Sequence, residues 1–252
     1  MIFLAALRKE FLELWRTSRL VVLAAVLAFF GLASPLIARY TPELIKLIPE
    51  GEAIAQAIPE PTVLDAVSQY TKNLGQFGVL LALLLTMGAV AQEKDKGTAA
   101  LMLVKPLPRA TFLLAKFAAL ALAFTAAIAL AGAGCYFYTT LLFEPLDLPG
   151  WLALNGLLVV YVLVYIALTL FCSVATRSQA AAGGLALGLL FALGLIGAVP
   201  GLGRYLPGQL LAWGAGAAAG GGEASWPALW VSVGIVLLAL AGAALVFEKQ
   251  EL

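Results

Sequence analysis

The sequence predicts an all-α integral membrane protein: six transmembrane helices preceded by an amphipathic N-terminal helix that lies in the membrane interface. Three observations carry this reading. The mean hydropathy is +1.01 and only 12% of the 252 residues are charged, against about 25% in a soluble domain, which leaves too little polar surface to cover a water-soluble globule. Six runs contain no Asp, Glu, Lys or Arg: 20–38, 73–92, 117–143, 148–176, 178–203 and 224–247. Each is about the length of roughly 20 residues that a helix needs to cross hydrocarbon, and none alternates with the period of two of a barrel strand. Finally, residues 1–19 mix apolar and charged side chains at helical spacing.

In that first segment Phe3, Leu4, Leu7, Phe11, Leu14 and Trp15 fall on one helical arc, and Lys9, Glu10, Glu13, Arg16 and Thr17 on the opposite one. The pattern is that of a surface anchor, with Trp15 at headgroup depth and the basic residues towards anionic lipid. A second reading makes it a lever that also touches a cytosolic partner and passes movement into the first span. The apolar run that follows is too long for a cleaved signal core, and further spans come after it.

Residues 20–252 read as a single six-helix domain. The connection 39–72 is long and holds Pro42, Pro49, Pro59 and Pro61. Thr62 is placed to cap a helix with Asp65 three residues on, and Val63, Val67, Tyr70 and Leu74 carry a stripe into the second span, so that helix begins outside the hydrocarbon. The fifth run spaces Gly184 and Gly188, and Gly197 and Gly201, four apart, which favours a tightly packed helix, within the chain or between subunits. Beyond it, Leu206 to Trp213 is apolar but too short to span, and a Gly-rich stretch follows. Segment 204–223 is therefore either a re-entrant pair or a flexible loop.

Lys and Arg fix the orientation, because cytoplasmic flanks retain them. With the N-terminus inside, the inner segments hold Arg8, Lys9, Arg16, Arg19, Lys94, Lys96, Lys105, Arg109, Lys116, Arg177 and Lys249. The outer segments hold only Arg39, Lys46, Lys72 and Arg204. They also gather Glu43, Glu50, Glu52, Glu60, Asp65, Glu144, Asp147 and Glu223. Six spans then place both termini, and segment 93–116, in the cytoplasm of a cell with this as its cytoplasmic (inner) membrane.

Chemistry is scarce. There is no His, and Cys135 and Cys172 both fall inside spans, without metal-type spacing. No GxSxG, HExxH or intramembrane acid pair marks a catalytic site, and the charge-free runs lack the ionisable groups of coupled transport. No enzyme activity, cofactor, metal or nucleic-acid partner is expected of this chain.

One segment departs from this pattern. "QEKDKGTAALMLVKPLPRATFLLAKF" starts at Gln92 and holds seven charged residues between two spans. Thr98 after Gly97 can cap a short helix, residues 99 to 104, which must stop before Pro106, and Pro108 suits the first turn of the third span. Topology alone asks only for Lys and Arg; Glu93 and Asp95 interleaved with Lys94 and Lys96, beside an apolar Leu101, Met102 and Val104, form a mixed-charge rim around an apolar tip, as in a protein interface.

These residues resemble the segment after the second span in ABC-2 type permeases, the membrane subunits of one class of ATP-binding-cassette transporters. The shared pattern is an acidic residue, a Gly-Thr pair, a leucine-rich turn, a Pro with a following Arg and a Lys entering helix three. Here these are Glu93, Gly97 and Thr98, Leu101 and Leu103, Pro106 with Arg109, and Lys116. The resemblance implies that two such units, this chain and an identical or paralogous copy, rest through this coupling loop on two cytosolic ATPase subunits. Leu101, Met102 and Val104 would seat in the ATPase, and Glu93, Lys94, Asp95, Lys96, Gly97, Thr98, Lys105, Pro106 and Arg109 would surround the contact. The chain has no GxxxxGK[ST] loop, so ATP and Mg would belong to the partner. The alternatives are a permease that relays ATPase motion to a periplasmic protein, and a membrane scaffold with no energy coupling.

Overall fold

The computed structural model describes residues 2–49, 51–52, 59–97 and 108–250, and every regular element among them is helical. Helix α1 (Ile2–Arg16) is followed by α2 (Arg19–Ile45), α3 (Val63–Thr86), the short α4 (Ala91–Asp95), α5 (Arg109–Leu142), α6 (Leu148–Ala175), α7 (Gln179–Gly197), a 3₁₀ turn (Gly203–Tyr205), α8 (Gly208–Ala218) and α9 (Trp226–Glu248). Six of the helices are long and apolar enough to cross a membrane, with α3 and α4 counted as one. The chain is a multi-pass membrane protein.

Ser18, in left-handed conformation at φ 58°, separates α1 from α2. On α1, Phe3, Leu4, Phe11 and Trp15 are exposed, whereas Leu7 and Leu14 pack on the core. The polar arc departs from expectation at Glu10, which is buried rather than turned to headgroups. The cause is α5, against which α1 lies.

Helices α2, α3, α5 and α6 form the core, filled by Leu23, Leu27, Tyr70, Leu74, Phe124, Ile128, Leu154 and Leu158. The backbones of α2 and α5 approach so closely at Gly31 that a Cβ there would stand 2.5 Å from the Ala131 carbonyl oxygen. Polar groups stitch the same helices together. Asn73 donates to Ser34 Oγ (3.0 Å), Tyr70 Oη to Asn155 Oδ1 (2.6 Å) and Trp151 Nε1 to the Gly132 carbonyl (3.2 Å). In hydrocarbon such groups need partners inside the protein.

The ends differ from the predicted boundaries in ways the packing explains. Helix α2 runs on past residue 38 with Pro35 and Pro42 inside it, so the outer connection is shorter than 39–72 suggests. Thr62 does cap α3: its backbone N–H and its hydroxyl both donate to the Asp65 carboxylate at 2.8 Å. Segment 204–223 contains a helix rather than a flexible loop; α8 packs against α6, with Gly214 beside Leu154. At eleven residues, α8 is roughly 16 Å long, about half the hydrocarbon thickness. The tight packing expected from the α7 glycines is absent within one chain. Only Ala182, Gly183 and Ala186 of α7 are buried, and Gly184 and Gly188 face open space.

Candidate functional site

The segment 93–116 leaves the bundle at the end where α1, the C-terminus of α6 and the C-terminus of α9 meet. Helix α3 does not run straight into it. It stops at Thr86, residues 87–90 turn, and α4 resumes the helix at Ala91. A broken helix frees backbone groups, and buried ones must be satisfied. Ser173 of α6 does this: its Oγ accepts from the Val90 and Ala91 N–H groups (3.0 Å each) and donates to the Met87 carbonyl (2.9 Å). The step in the second span is thus keyed to α6 by one hydroxyl.

Below α4 sits a charge junction between three helices. Lys116, two turns into α5, is 4% exposed and lies 3.0 Å from Glu10 Oε2 of α1 and 2.7 Å from Glu93 Oε1 of α4. Its ammonium also lies 4.8 Å from the Phe112 ring centre. Lys9 joins from α1, 2.8 Å from Glu10 Oε1, 3.2 Å from Glu13 Oε2 and 3.6 Å from Glu93 Oε1. Burial alone would lower the Lys9 pKa, but the hydrogen bond that Lys9 donates to Glu10 and the charges of Glu10, Glu93 and Glu13 outweigh it and hold it above its ordinary value. Burial likewise acts to raise the Glu13 carboxyl, and Lys9 with Lys116 reverses this and keeps it below the usual range. Carboxylate oxygens of Glu10, Glu13 and Glu93 lie within 4.8 Å of one another. Two lysine ammoniums pair with all three, so ion pairing accounts for the cluster.

Two further cations of the segment, Arg109 and Lys94, cap helix ends. Arg109 Nη1 donates to the carbonyls of Phe247 (2.6 Å), Glu248 (3.0 Å) and Gln250 (2.8 Å), where the last carbonyls of α9 and its negative dipole end lie. Its guanidinium stands 5.7 Å over the Phe247 ring. Lys94 Nζ donates to the Val174 carbonyl at the end of α6 (2.6 Å) and to Gln250 Oε1 (3.2 Å). Gln250 Nε2 returns to the same Val174 carbonyl (3.0 Å).

Glu93, Lys94 and Arg109 therefore make their contacts inside this chain, whereas Asp95, Lys96 and Gly97 are exposed. Gly97 takes φ +66°, a left-handed turn that ends α4. Thr98, Leu101, Met102, Val104, Lys105 and Pro106 lie outside the described residues. Sequence reasoning found Glu93 and Lys116 but did not pair them, and it missed Glu10, Ser173 and Gln250 as members of the junction. A signal for the first was present. Lys116 lies two turns into a helix that begins at Arg109, and a lysine so deep in an apolar helix requires a carboxylate close by.

Comparison with known proteins agrees with this architecture. Residues 4–252 match the family described as "ABC-2 family transporter protein". The chain is also 27% identical over 215 residues to the "Uncharacterized transmembrane protein YxlG" of Bacillus subtilis (strain 168), covering 83% of this chain and 82% of the relative.

Proposed function

The chain belongs to the ABC-2 transporter family, and from that premise we propose that it is a permease subunit whose segment 93–116 couples a separate cytosolic ATPase to movement of a substrate across the membrane. The observation that carries the reading is the junction at the base of that segment. Glu93 is ion-paired to both α1 and α5, Ser173 keys the turn before α4 to α6, and Arg109 holds the end of α9. A push on this segment would thus reach five helices through short polar contacts, which is what force transfer from a cytosolic motor requires.

In this reading Leu101, Met102 and Val104 enter the ATPase while Asp95 and Lys96 rim the contact; Glu93, Lys94 and Arg109 brace the loop from within. The end bearing α1 faces the cytoplasm of the inner membrane. Two ATPase copies and a second permease copy complete the assembly, and ATP with Mg binds the ATPase.

Detergent co-purification of the tagged chain with a co-expressed ABC ATPase from the same operon tests the proposal. The wild type is expected to retain the ATPase in stoichiometric amount and the Leu101→Asp, Met102→Asp variant to lose it while remaining folded. Absence of the ATPase from both, with intact membrane protein, would return the reading to an uncoupled scaffold.

A further inference from the structure

Helix α7 meets the bundle near its start, at Ala182, Gly183 and Ala186, and is tied again at its end, where Leu206 approaches Gly197. Between these points it stands away from α3 and α6 and leaves a crevice of about 700 Å³. Protein interiors are close-packed, with few voids larger than a water molecule. A gap of this size between spans falls in the size range of small-ligand sites, about 300–1,000 Å³.

The lining is graded along the membrane normal. On α3, Lys72 and Gln76 stand one turn apart at the mouth, with Val79 and Leu83 deeper. Lys72 is the first residue outside the charge-free run 73–92, so its ammonium sits at the edge of the hydrocarbon. It forms no ion pair among the described residues. No Asp or Glu lines the crevice. Glu60 and Asp65 border the adjoining outer hollow, which Lys72 also lines, and the Asp65 carboxylate is engaged by Thr62. The back wall is the Tyr161–Tyr165 ring pair of α6, centres 5.0 Å apart, and the facing wall carries Leu187 and Leu190 of α7. Leu80 and Leu187 remain exposed, so the crevice opens sideways to lipid.

A cationic, amide-bearing mouth above an apolar slot complements one kind of molecule. We propose that this crevice binds a single-chain amphiphile with an anionic head, the head at Lys72 and Gln76 and the chain between the α6 tyrosines and the α7 leucines. As a statement about cargo this rests on the permease reading above; as a binding site it stands without it. The binding experiment needs no ATPase, so failure of one is distinguishable from failure of the other.

Two glycines make the test specific. A Cβ at Gly194 or Gly208, both in the lining, would meet nothing within 4 Å. Either position therefore accepts a Cβ freely and is a place from which to build a large side chain into the slot. The full chain in phosphatidylcholine nanodiscs would be photolabelled with diazirine-bearing palmitate, with the matching diazirine alcohol, and with a two-chain diazirine phosphatidylglycerol. The proposal expects saturable palmitate labelling of α3 and α7 peptides, competed by unlabelled palmitate. Gly194→Trp should abolish it, and so should Gly208→Phe, which guards against misfolding of the first variant. Lys72→Gln should weaken palmitate roughly fivefold and leave the alcohol unchanged, with Lys72→Arg restoring binding. Unsaturable labelling over the whole lipid-facing surface in every variant would overturn the site. Equal labelling by alcohol and acid would overturn the anionic head, and phosphatidylglycerol displacing palmitate would overturn the single chain.

Discussion

Lys116 is the most deeply buried charge of the junction. Its ammonium is almost fully withdrawn from water between Glu10 and Glu93, and removing one member of a buried ion pair leaves the other charges without compensation. Lys116→Met should cost about 3–5 kcal/mol, read as a fall in the thermal unfolding midpoint in detergent. The triple variant with Glu10→Gln and Glu93→Gln should recover much of this, because no bare carboxylate then remains. The two shifted groups on α1 set a pH window. Glu13, held low, contributes stability above its ordinary value of 4.5 and loses it as pH falls through its folded value. Lys9, held high, contributes fully below 10.5 and loses it as pH rises through its folded value. Their joint contribution should therefore be flat from about pH 5 to about pH 10 and decline on both sides. Unfolding midpoints measured across pH should show that plateau in the wild type and less dependence in a Lys9→Met, Glu13→Gln variant. Helical arcs place Glu10 among polar neighbours, so the sequence suggested a solvated face; its burial arises from α5, a non-local partner that no period within α1 encodes.

At the scale of elements, the turn between α3 and α4 is the feature most open to a direct test. Ser173→Ala removes the acceptor of two buried N–H groups and the donor to a third group, the Met87 carbonyl. An unsatisfied buried group costs roughly 1–3 kcal/mol, so the variant should be measurably less stable. Hydrogen exchange should quicken at Val90 and Ala91 and not in the centre of α3. Unchanged exchange there would mean that Ser173 does not hold the turn. The six spans were legible because hydrocarbon imposes length and charge-free composition on each helix independently. The Thr62–Asp65 cap was legible because it is local. The break at residues 87–90 was not, since Ser173 is distant in sequence and a serine in an apolar span carries no signal of which helix it serves. The α7 glycines show the complementary limit: small residues permit close approach, but a neighbour has to be present to make it, and within the chain α7 is buried only near its start.

For the whole molecule, charge and structure jointly predict which end faces the cytoplasm. Arg8, Lys9, Lys94, Arg109, Lys116, Arg177 and Lys249 belong to segments that meet at the end carrying α1. The other end carries the acidic outer connections together with the mouth of the α7 crevice. Translocation disfavours Lys and Arg, so the first end should remain inside. The native cysteines do not obscure the measurement, because Cys135 and Cys172 are both buried. Single cysteines at exposed positions can then report the side. Arg177→Cys and Lys249→Cys should react with a membrane-impermeant maleimide only after permeabilisation, and Arg204→Cys and Glu223→Cys should react in intact cells. The opposite pattern would place segment 93–116 outside, beyond the reach of any ATP-driven partner, and the coupling proposal would fall while the crevice and its amphiphile would not. Labelling thus separates the two proposals at their common premise: force enters at the lysine-rich end, and the slot opens at the other.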